Sequence, residues 1–237
     1  MTLATSIRIS AKNLGKLAIP DFCPRCFWLQ LKMGFKLPFQ IFPGIFSSLD
    51  SYQKKCIHKF YEKRSRLPVW IASLGDLVRP VPVLHHSKFQ YLDRQSNVLL
   101  TGTPDDIYSR SDSSLFIVDF KTAKFTGNQD KLHPMYATQL NCYALINEKL
   151  GLGKVTGLAL VYFEPETEQI DVDERIKEAG FDLGFAANTL MVEMNLAQIP
   201  SLLQRTREIF DLDAAPAPSP ECKDCELVEA IATLLGR

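Results

Sequence analysis

The run Leu115-Phe116-Ile117-Val118-Asp119-Phe120-Lys121 is apolar at its start and ends in two charged side chains. Side chains of a β-strand alternate between the two faces of a sheet, so Asp119 and Lys121 share a face with Leu115 and Ile117. An acid and an amine on a buried face cost several kcal/mol unless they are paired or bind a metal. We therefore interpret this run as a core strand that carries a chemical site. A surface hairpin with an ordinary Asp119–Lys121 salt bridge is the simpler alternative.

A second acidic element precedes this strand. Gly102-Thr103-Pro104-Asp105 is separated from it by the turn-rich residues 109–114. Two strands that pair about such a turn place Asp105 opposite the region of Asp119, so two carboxylates meet beside Lys121. Carboxylate oxygens are hard ligands that suit Mg²⁺ or Mn²⁺. The lysine can hold the attacking water or offset charge that develops on a phosphate. The pattern predicts a phosphodiester hydrolase site.

A helix predicted to begin at Pro134 carries Gln139 and Tyr143, which are four residues apart and therefore share a face. On their own they fit a core tyrosine beside a solvated glutamine equally well. In this order and spacing, however, the three elements resemble the G-x-x-D, D-x-K and Q-x-x-x-Y pattern of the RecB-like branch of the PD-(D/E)XK nuclease superfamily.

The resemblance implies a restriction-endonuclease-like α/β core, with a mixed sheet flanked by helices. It also implies that Asp105 and Asp119 bind Mg²⁺ or Mn²⁺ and that Lys121 is the catalytic lysine. Gln139 and Tyr143 would support the site or contact the DNA strand.

Many members of that family add a histidine or a glutamate from the first core helix. Here the helix is expected over residues 49–66, where His58 and Glu62 are the candidates and no motif selects either. Its apolar face is predicted to hold Leu49, Tyr52, Cys56 and Phe60. Its other face is basic, which indicates a solvated surface or a phosphate-contacting edge. That face comprises Lys54, Lys55, Lys59, Lys63 and Arg64.

The six cysteines are not scattered. Four form two C-x-x-C pairs near opposite ends of the chain, Cys23/Cys26 and Cys222/Cys225. Two such pairs suggest one tetrahedral thiolate site, for either Zn²⁺ or an iron–sulfur cluster. The alternative is that one or both pairs are unrelated free thiols. Cys56 and Cys142 are expected to be core residues on apolar helix faces.

RecB-like nucleases with iron–sulfur clusters, including the CRISPR-associated exonucleases, take one cysteine from before the nuclease core and three from after it. This chain offers two and two. The resemblance implies a [4Fe–4S] cluster, with structural Zn²⁺ as the alternative. The Cys23-Pro24-Arg25-Cys26-Phe27-Trp28 segment and the tail pair also resemble an uncharacterised bacterial branch of the same superfamily.

The apolar spacing predicts several other elements. Helices are expected over 11–17, 134–150, 200–212 and 227–235, and strands over 88–92, 97–108, 155–163 and 181–194. Residues 67–86 contain three prolines and are expected to form a loop. We predict three parts: a helical and cysteine-bearing segment at 1–47, a nuclease core at 48–213, and a cysteine segment at 214–237 that packs with the first.

Composition leaves the function open. The chain has 237 residues, 46% of them hydrophobic and 23% charged, and its formal net charge is zero. No global field attracts nucleic acid, so a grip on DNA has to come from a local groove. The first residues lack a long apolar core and no stretch is long enough to span a membrane, so we expect a cytoplasmic protein without a membrane partner.

We interpret the chain as a metal-dependent DNA nuclease, an exonuclease or an enzyme directed at single-stranded or free ends. It could also meet protein partners of a DNA-processing complex. The alternative is a non-catalytic nucleic-acid-binding or assembly subunit that keeps the fold and the cysteine site. The missing third ligand and the zero net charge favour that alternative, whereas the intact set of Asp105, Asp119 and Lys121 disfavours it. A third reading is a zinc-stapled scaffold that never meets DNA.

Overall fold

The structure is a computed structural model that describes residues 6–36, 43–126, 131–167 and 172–236. Its strands are β1 (Ile7–Ser10), β2 (Leu77–Val81), β3 (Gln90–Asp93), β4 (Val98–Thr101), β5 (Asp106–Arg110), β6 (Leu115–Lys121), β7 (Val155–Pro165), β8 (Ile176–Lys177), β9 (Gly180–Phe181) and β10 (Phe185–Val192). Its α-helices are α1 (Ala11–Gly15), α2 (Pro24–Lys32), α3 (Gly44–Arg64), α4 (Val69–Ala72), α5 (His133–Lys149), α6 (Val172–Arg175), α7 (Ile199–Asp211) and α8 (Lys223–Leu234). None of the helices described is long and apolar enough to cross a membrane.

The central sheet has five strands in the order β10-β7-β6-β5-β2. Strands β5 and β6 form the predicted antiparallel hairpin, in which Asp106 pairs with Val118. Strand β7 runs parallel to β6, and β10 runs antiparallel to β7. Helices lie on both faces, so the predicted mixed sheet flanked by helices is confirmed.

Strand β6 lies at the centre of this sheet and is buried on both faces. Leu115 and Ile117 belong to one apolar cluster, which also contains side chains of α5. Phe116, Val118 and Phe120 belong to the other, which α3 and α4 cover. The predicted alternation of this strand is therefore confirmed, and its near-continuous apolar character reflects burial on two faces.

A second sheet of three strands, in the order β1-β4-β3, carries the chain into the first motif. Strand β1 pairs in parallel with β4, and its last residue Ser10 caps α1 by accepting a hydrogen bond from the Asn13 N–H at 3.2 Å. We predicted one strand over 97–108. Instead β4 ends at Thr101 and β5 begins at Asp106 in the other sheet. Pro104 lacks the N–H that a continuous ladder needs, and the G-x-x-D segment becomes the link between two sheets.

Two other expectations were wrong. Residues 67–86 contain α4 and the edge strand β2, where Pro80 is tolerated because only one side of the strand is paired. The buried residues of α3 are Gln53 and Ile57, whereas Tyr52 and Cys56 are exposed. The core-facing side of α3 includes the polar residue Gln53. A prediction based on apolar residues alone therefore placed the buried face about one residue too early, at Tyr52 and Cys56 instead of Gln53 and Ile57. Cys142, in contrast, is fully buried as predicted.

The close packing of the parallel strands β6 and β7 can be tested at Gly157. This glycine lies beside Phe116, and a Cβ added there would stand 2.4 Å from two carbons of the Phe116 ring. We expect Gly157→Ala to lower the free energy of unfolding by about 1–3 kcal/mol, because a buried ring has to shift. Urea titration measures the change. Gly44→Ala is the matched control, since nothing lies within 4 Å of its added Cβ. Equal stability of the two variants would contradict this packing.

Candidate active site at the end of the central strand

Asp119 and Lys121 stand at the C-terminal end of β6, on the face that α5 covers. The Asp119 side chain is buried, with 3% of the residue exposed. Its Oδ2 forms an ion pair with the Lys121 Nζ, and its Oδ1 accepts a hydrogen bond from the Gln139 Nε2 at 3.2 Å. Both carboxylate oxygens are therefore satisfied, which offsets the cost of burying the charge.

Gln139 and Tyr143 lie one turn apart on α5 and point at the same place. The Gln139 Nε2 also donates to the Tyr143 hydroxyl at 2.7 Å, and the Gln139 Oε1 lies 3.4 Å from the Lys121 Nζ. One amide side chain therefore orients the acid and the lysine together. The Lys121 Nζ also lies 4.2 Å from the centroid of the Tyr136 ring, a cation–π contact.

The glycine of the G-x-x-D segment is required by this packing. A Cβ added to Gly102 would stand 2.5 Å from Cε1 of Tyr143. Burial raises the pKa of Tyr143 well above its ordinary value, so the ring stays neutral. Gly102, Tyr143 and Gln139 thus form a contact chain from the first motif to Asp119.

Asp105 meets Asp119 from the neighbouring strand. It lies one residue before Asp106, whose partner on β6 is Val118, and its Oδ2 accepts a hydrogen bond from the Phe120 N–H at 2.7 Å. Burial, and next the charge of Asp119, raise the pKa of the Asp105 carboxyl to about 7. Two carboxylates that compete for ionisation in this way are a donor set that a divalent cation would relieve.

Helix α3 supplies a cation to this pair of acids. The Lys54 Nζ lies 2.7 Å from the Asp105 Oδ1 and 2.9 Å from the Asp50 Oδ2. Burial opposes the charge of Lys54, but Asp105 outweighs it and raises the lysine pKa. Next to it, the Gln53 Nε2 donates to the Thr122 Oγ1 at 2.9 Å.

The two candidates for a third ligand lie elsewhere on α3. The His58 Nε2 is 3.0 Å from both carboxylate oxygens of Asp106, which also accepts a hydrogen bond from the Tyr108 hydroxyl at 2.8 Å. Burial raises the pKa of Asp106. Glu62 is exposed and pairs with Lys59 at 2.8 Å. Neither His58 nor Glu62 has a hydrogen bond or ion pair to Asp105 or Asp119 among these contacts.

The donor set at this site consists of carboxylates from two adjacent strands, each already paired with an ammonium group. Hard oxygen donors of this kind fit Mg²⁺ or Mn²⁺ rather than a thiophilic ion. The residues that would hold such an ion are Asp105 and Asp119. Among the described residues, the only cluster of three or more potential ligands is a different one, built from cysteines.

The sulfur atoms of Cys23, Cys26, Cys222 and Cys225 all lie within 4.8 Å of one another. The prediction that the two C-x-x-C pairs come together is therefore confirmed. Cys23 and Cys222 are the N-caps of α2 and α8, so the two helices start at the cluster. Burial opposes ionisation of Cys23, but hydrogen bonds from the backbone N–H groups of Cys26 and Ser219 lower its pKa to about 6.

Several contacts support the cysteine cluster. Arg25 donates from Nε to the Pro216 carbonyl at 3.0 Å and pairs through Nη1 with Glu229 at 2.6 Å. The Ser219 hydroxyl donates to the Phe22 carbonyl at 2.7 Å. The segment at residues 216–219 and helix α8 are thus held against α2.

Sequence reasoning missed Lys54 and Asp50. The basic face of α3 was interpreted as a solvated surface or a phosphate-contacting edge, and Asp50 was given no role. The signal available was the i, i+4 spacing of Asp50 and Lys54, which places an acid and a lysine on one face. What the sequence does not reveal is that this face turns toward Asp105, because that depends on how α3 crosses the sheet.

The raised pKa of Asp105 predicts a pH-dependent stability. Its ordinary value is 3.8 and its folded value is about 7, so between these values the folded chain binds the additional proton. In a metal chelator, the free energy of unfolding should fall as pH rises through this window, by up to about 1.4 kcal/mol per pH unit. Urea titrations at intervals from about pH 4.5 to about pH 7.5 measure this change. Asp105→Asn should lack this component, whereas the exposed Asp213→Asn should follow the parent. Parallel curves for parent and Asp105→Asn would refute it.

Comparison with known proteins identifies a family for the chain. A profile of the PD-(D/E)XK nuclease superfamily matches residues 48–230. No curated protein matches the chain. Thirteen chains of solved structures match. One of them, titled "Crystal structure of SSO0001", is 12% identical over 96% of this chain and 86% of that chain, with a TM-score of 0.44. Because the superfamily profile covers more than half of the sequence, the chain belongs to the PD-(D/E)XK nuclease superfamily.

Proposed function

We propose that the protein is a metal-dependent DNA nuclease that hydrolyses phosphodiester bonds at or near single-stranded ends. The observation that carries this proposal is the meeting of Asp105 and Asp119 beside Lys121, with Gln139 hydrogen-bonded to Asp119. The activity would reside in the core at 48–213, and the segments at 1–47 and 214–237 would form the cysteine lobe.

Each residue has a role that follows from its contacts. Mg²⁺ or Mn²⁺ held by Asp105 and Asp119 would supply Lewis-acid polarisation of the phosphate. The Lys121 ammonium offsets the charge that develops on the phosphate oxygens as water attacks. Gln139 fixes the direction of both Asp119 and Lys121, and Tyr143 fixes Gln139.

In the overall reaction, an oxygen–phosphorus bond forms from water as the ester phosphorus–oxygen bond breaks. The water gives up a proton, and the leaving oxygen takes one. Because the nucleophile is water, the chain needs no nucleophilic side chain, and the residues around Asp119 are acids, amides and a lysine.

A groove along α3 supports a nucleic-acid substrate. A depression of about 460 Å³ is lined by Ser51, Lys54, Lys55, His58, Lys59 and Glu62. A second one, of about 390 Å³, shares Ser51 and Lys55 with it and ends at Tyr52. We call the two together the α3 groove. Since Lys54 lines the first depression and also pairs with Asp105, the α3 groove adjoins the site.

The chemistry of the α3 groove favours a single strand. Its lining includes Lys54, Lys55 and Lys59, which can contact phosphates. Tyr52 is 65% exposed, so its ring can stack on a base. Bases of a single strand offer their faces to such a ring, whereas in a duplex the faces are covered by neighbouring bases. The α3 groove would therefore be the local binding surface for nucleic acid that a chain of zero net charge needs.

The catalytic assignment predicts a loss of cleavage. Asp119→Asn and Lys121→Ala should each lower the cleavage rate by about 100-fold or more, because both remove groups that act on the transition state. The measurement is the cleavage of end-labelled single- and double-stranded DNA with Mg²⁺ or Mn²⁺, by protein purified without air. Asp213→Asn, at an exposed position just after α7, should cleave like the parent. Parent-like cleavage by either site variant would refute the assignment, and the product ladder of the parent reports end preference.

The α3 groove predicts a loss of binding without a loss of chemistry. Tyr52→Ala should weaken affinity for a labelled single-stranded oligonucleotide by about fivefold or more. Lys55→Glu should weaken it further and reduce the slope of log affinity against log salt by about one. Lys154→Glu makes the same charge change just before β7, at the other end of the sheet, and should bind like the parent. Equal losses for Lys55→Glu and Lys154→Glu would show a general charge effect instead. Preference for an RNA oligonucleotide would correct the substrate class.

The second candidate is a non-catalytic nucleic-acid-binding or assembly subunit. One observation favours it. The residue of α3 that contacts Asp105 is Lys54, which cannot bind a metal ion while protonated, and not a histidine or glutamate that could be a third metal ligand. Binding of single strands that needs no Mg²⁺, with no cleavage by metal-replete parent protein, would establish this candidate and overturn the nuclease proposal.

A further inference from the structure

The cysteine cluster has a size that identifies what it can hold. The sulfur of Cys26 lies 3.6 Å from that of Cys222 and 3.4 Å from that of Cys225, and the sulfur of Cys23 lies 3.6 Å from that of Cys225. Every pair of the four lies within 4.8 Å. Sulfur–sulfur distances this short mean that the four atoms surround a space the size of one ion.

A single tetrahedral ion requires separations of this size. With zinc–sulfur bonds of about 2.3 Å, two sulfurs of a tetrahedron stand about 3.8 Å apart. In a [4Fe–4S] cluster, each thiolate binds a different iron at a different corner of a cube of iron and sulfide. The four cysteine sulfurs must then stand well apart, with the whole cube between them. The four thiols of this chain leave no room for that cube, so they do not fit a [4Fe–4S] cluster.

We propose that Cys23, Cys26, Cys222 and Cys225 bind one Zn²⁺ ion in a closed structural site. Four thiolates in a tetrahedron are a preferred set for Zn²⁺, which has no redox chemistry and imposes no other geometry. All four positions are filled by protein sulfur, so the ion has no open position for water or substrate. The Ser219 N–H donates to the Cys23 sulfur at 3.4 Å, an outer contact of the kind that orients ligands in metal sites.

The consequence of this site is a cross-link between distant parts of the chain. Cys26 and Cys222 are 196 residues apart, and they lie at the starts of α2 and α8. Because such a site does not exist in the unfolded chain, binding of the ion contributes directly to folding of the lobe. The role is therefore structural, and it is independent of the proposed nuclease activity.

The test is metal analysis of the full chain, produced with iron and zinc both supplied and purified without air. We expect about one zinc per chain, little iron, no acid-labile sulfide and no visible absorbance. A brown protein with several irons and sulfides per chain would overturn the proposal. One iron per chain without sulfide would keep the single-ion geometry but overturn the zinc assignment. A chain that carries neither metal would also overturn it.

Variants separate the cluster from other thiols. Cys222→Ser combined with Cys225→Ser should reduce bound zinc from about one per chain to nearly none. Cys56→Ser, which changes an exposed cysteine outside the cluster, should keep it. Retention of zinc by the double variant would overturn the site. If the double variant does not fold, Co²⁺ replacement in the parent serves instead: thiolate charge-transfer bands with intense d–d bands indicate four sulfur ligands in a tetrahedron, and weak octahedral bands would refute the geometry.

Discussion

The carboxyl group of Asp119, buried at the end of a strand that is apolar on both faces, constrains the packing of the elements around it. A charge in that position is tolerated only if its partners are fixed, and they come from two elements: Lys121 of β6 and Gln139 of α5. Helix α5 therefore has to lie in one register over the sheet. Because α5 packs through Tyr143 on Gly102, that register also fixes the segment that delivers Asp105.

The same constraint explains why the site is costly when it holds only protein groups. Burial, and next the charge of Asp119, raise the pKa of Asp105, so placing the two carboxyl groups together is unfavourable. Lys54 and Lys121 offset the charge from opposite sides. The arrangement gives up stability to place two carboxyl groups together, which suits the proposed divalent cation, and the cation and the lysines would in turn stabilise charge on a phosphate.

Much of the core could be predicted because its signals are local. The alternation in Leu115–Lys121, the turn before it and the spacing of Gln139 and Tyr143 each determine a local structure, and the hairpin then brings the acids together. The rest depends on packing between distant elements. The strand is interrupted at 102–105 because β4 belongs to the second sheet. Helix α3 packs on the core through a face that includes the polar residues Gln53 and Lys54, so the positions of its apolar residues do not show which face is buried. The meeting of the cysteine pairs could be anticipated from their spacing, but the distances between their sulfurs could not.

The two proposed metal sites differ in their donor atoms, which would keep their ions separate. Divalent zinc binds most protein ligands more tightly than Mg²⁺ or Mn²⁺ does, so a carboxylate site in a cell containing zinc is open to the wrong ion. The donor atoms of the two sites oppose binding of zinc at the carboxylates. Asp105 and Asp119 offer hard oxygen donors that are paired with lysines, whereas the cysteines offer four soft sulfur donors around one point. With the proposed zinc at the cysteines, the tighter-binding ion is assigned to the site that uses it for structure. The weaker-binding, exchangeable ion is then the one proposed for the site at the end of β6, where the phosphate of the proposed substrate would join its ligands.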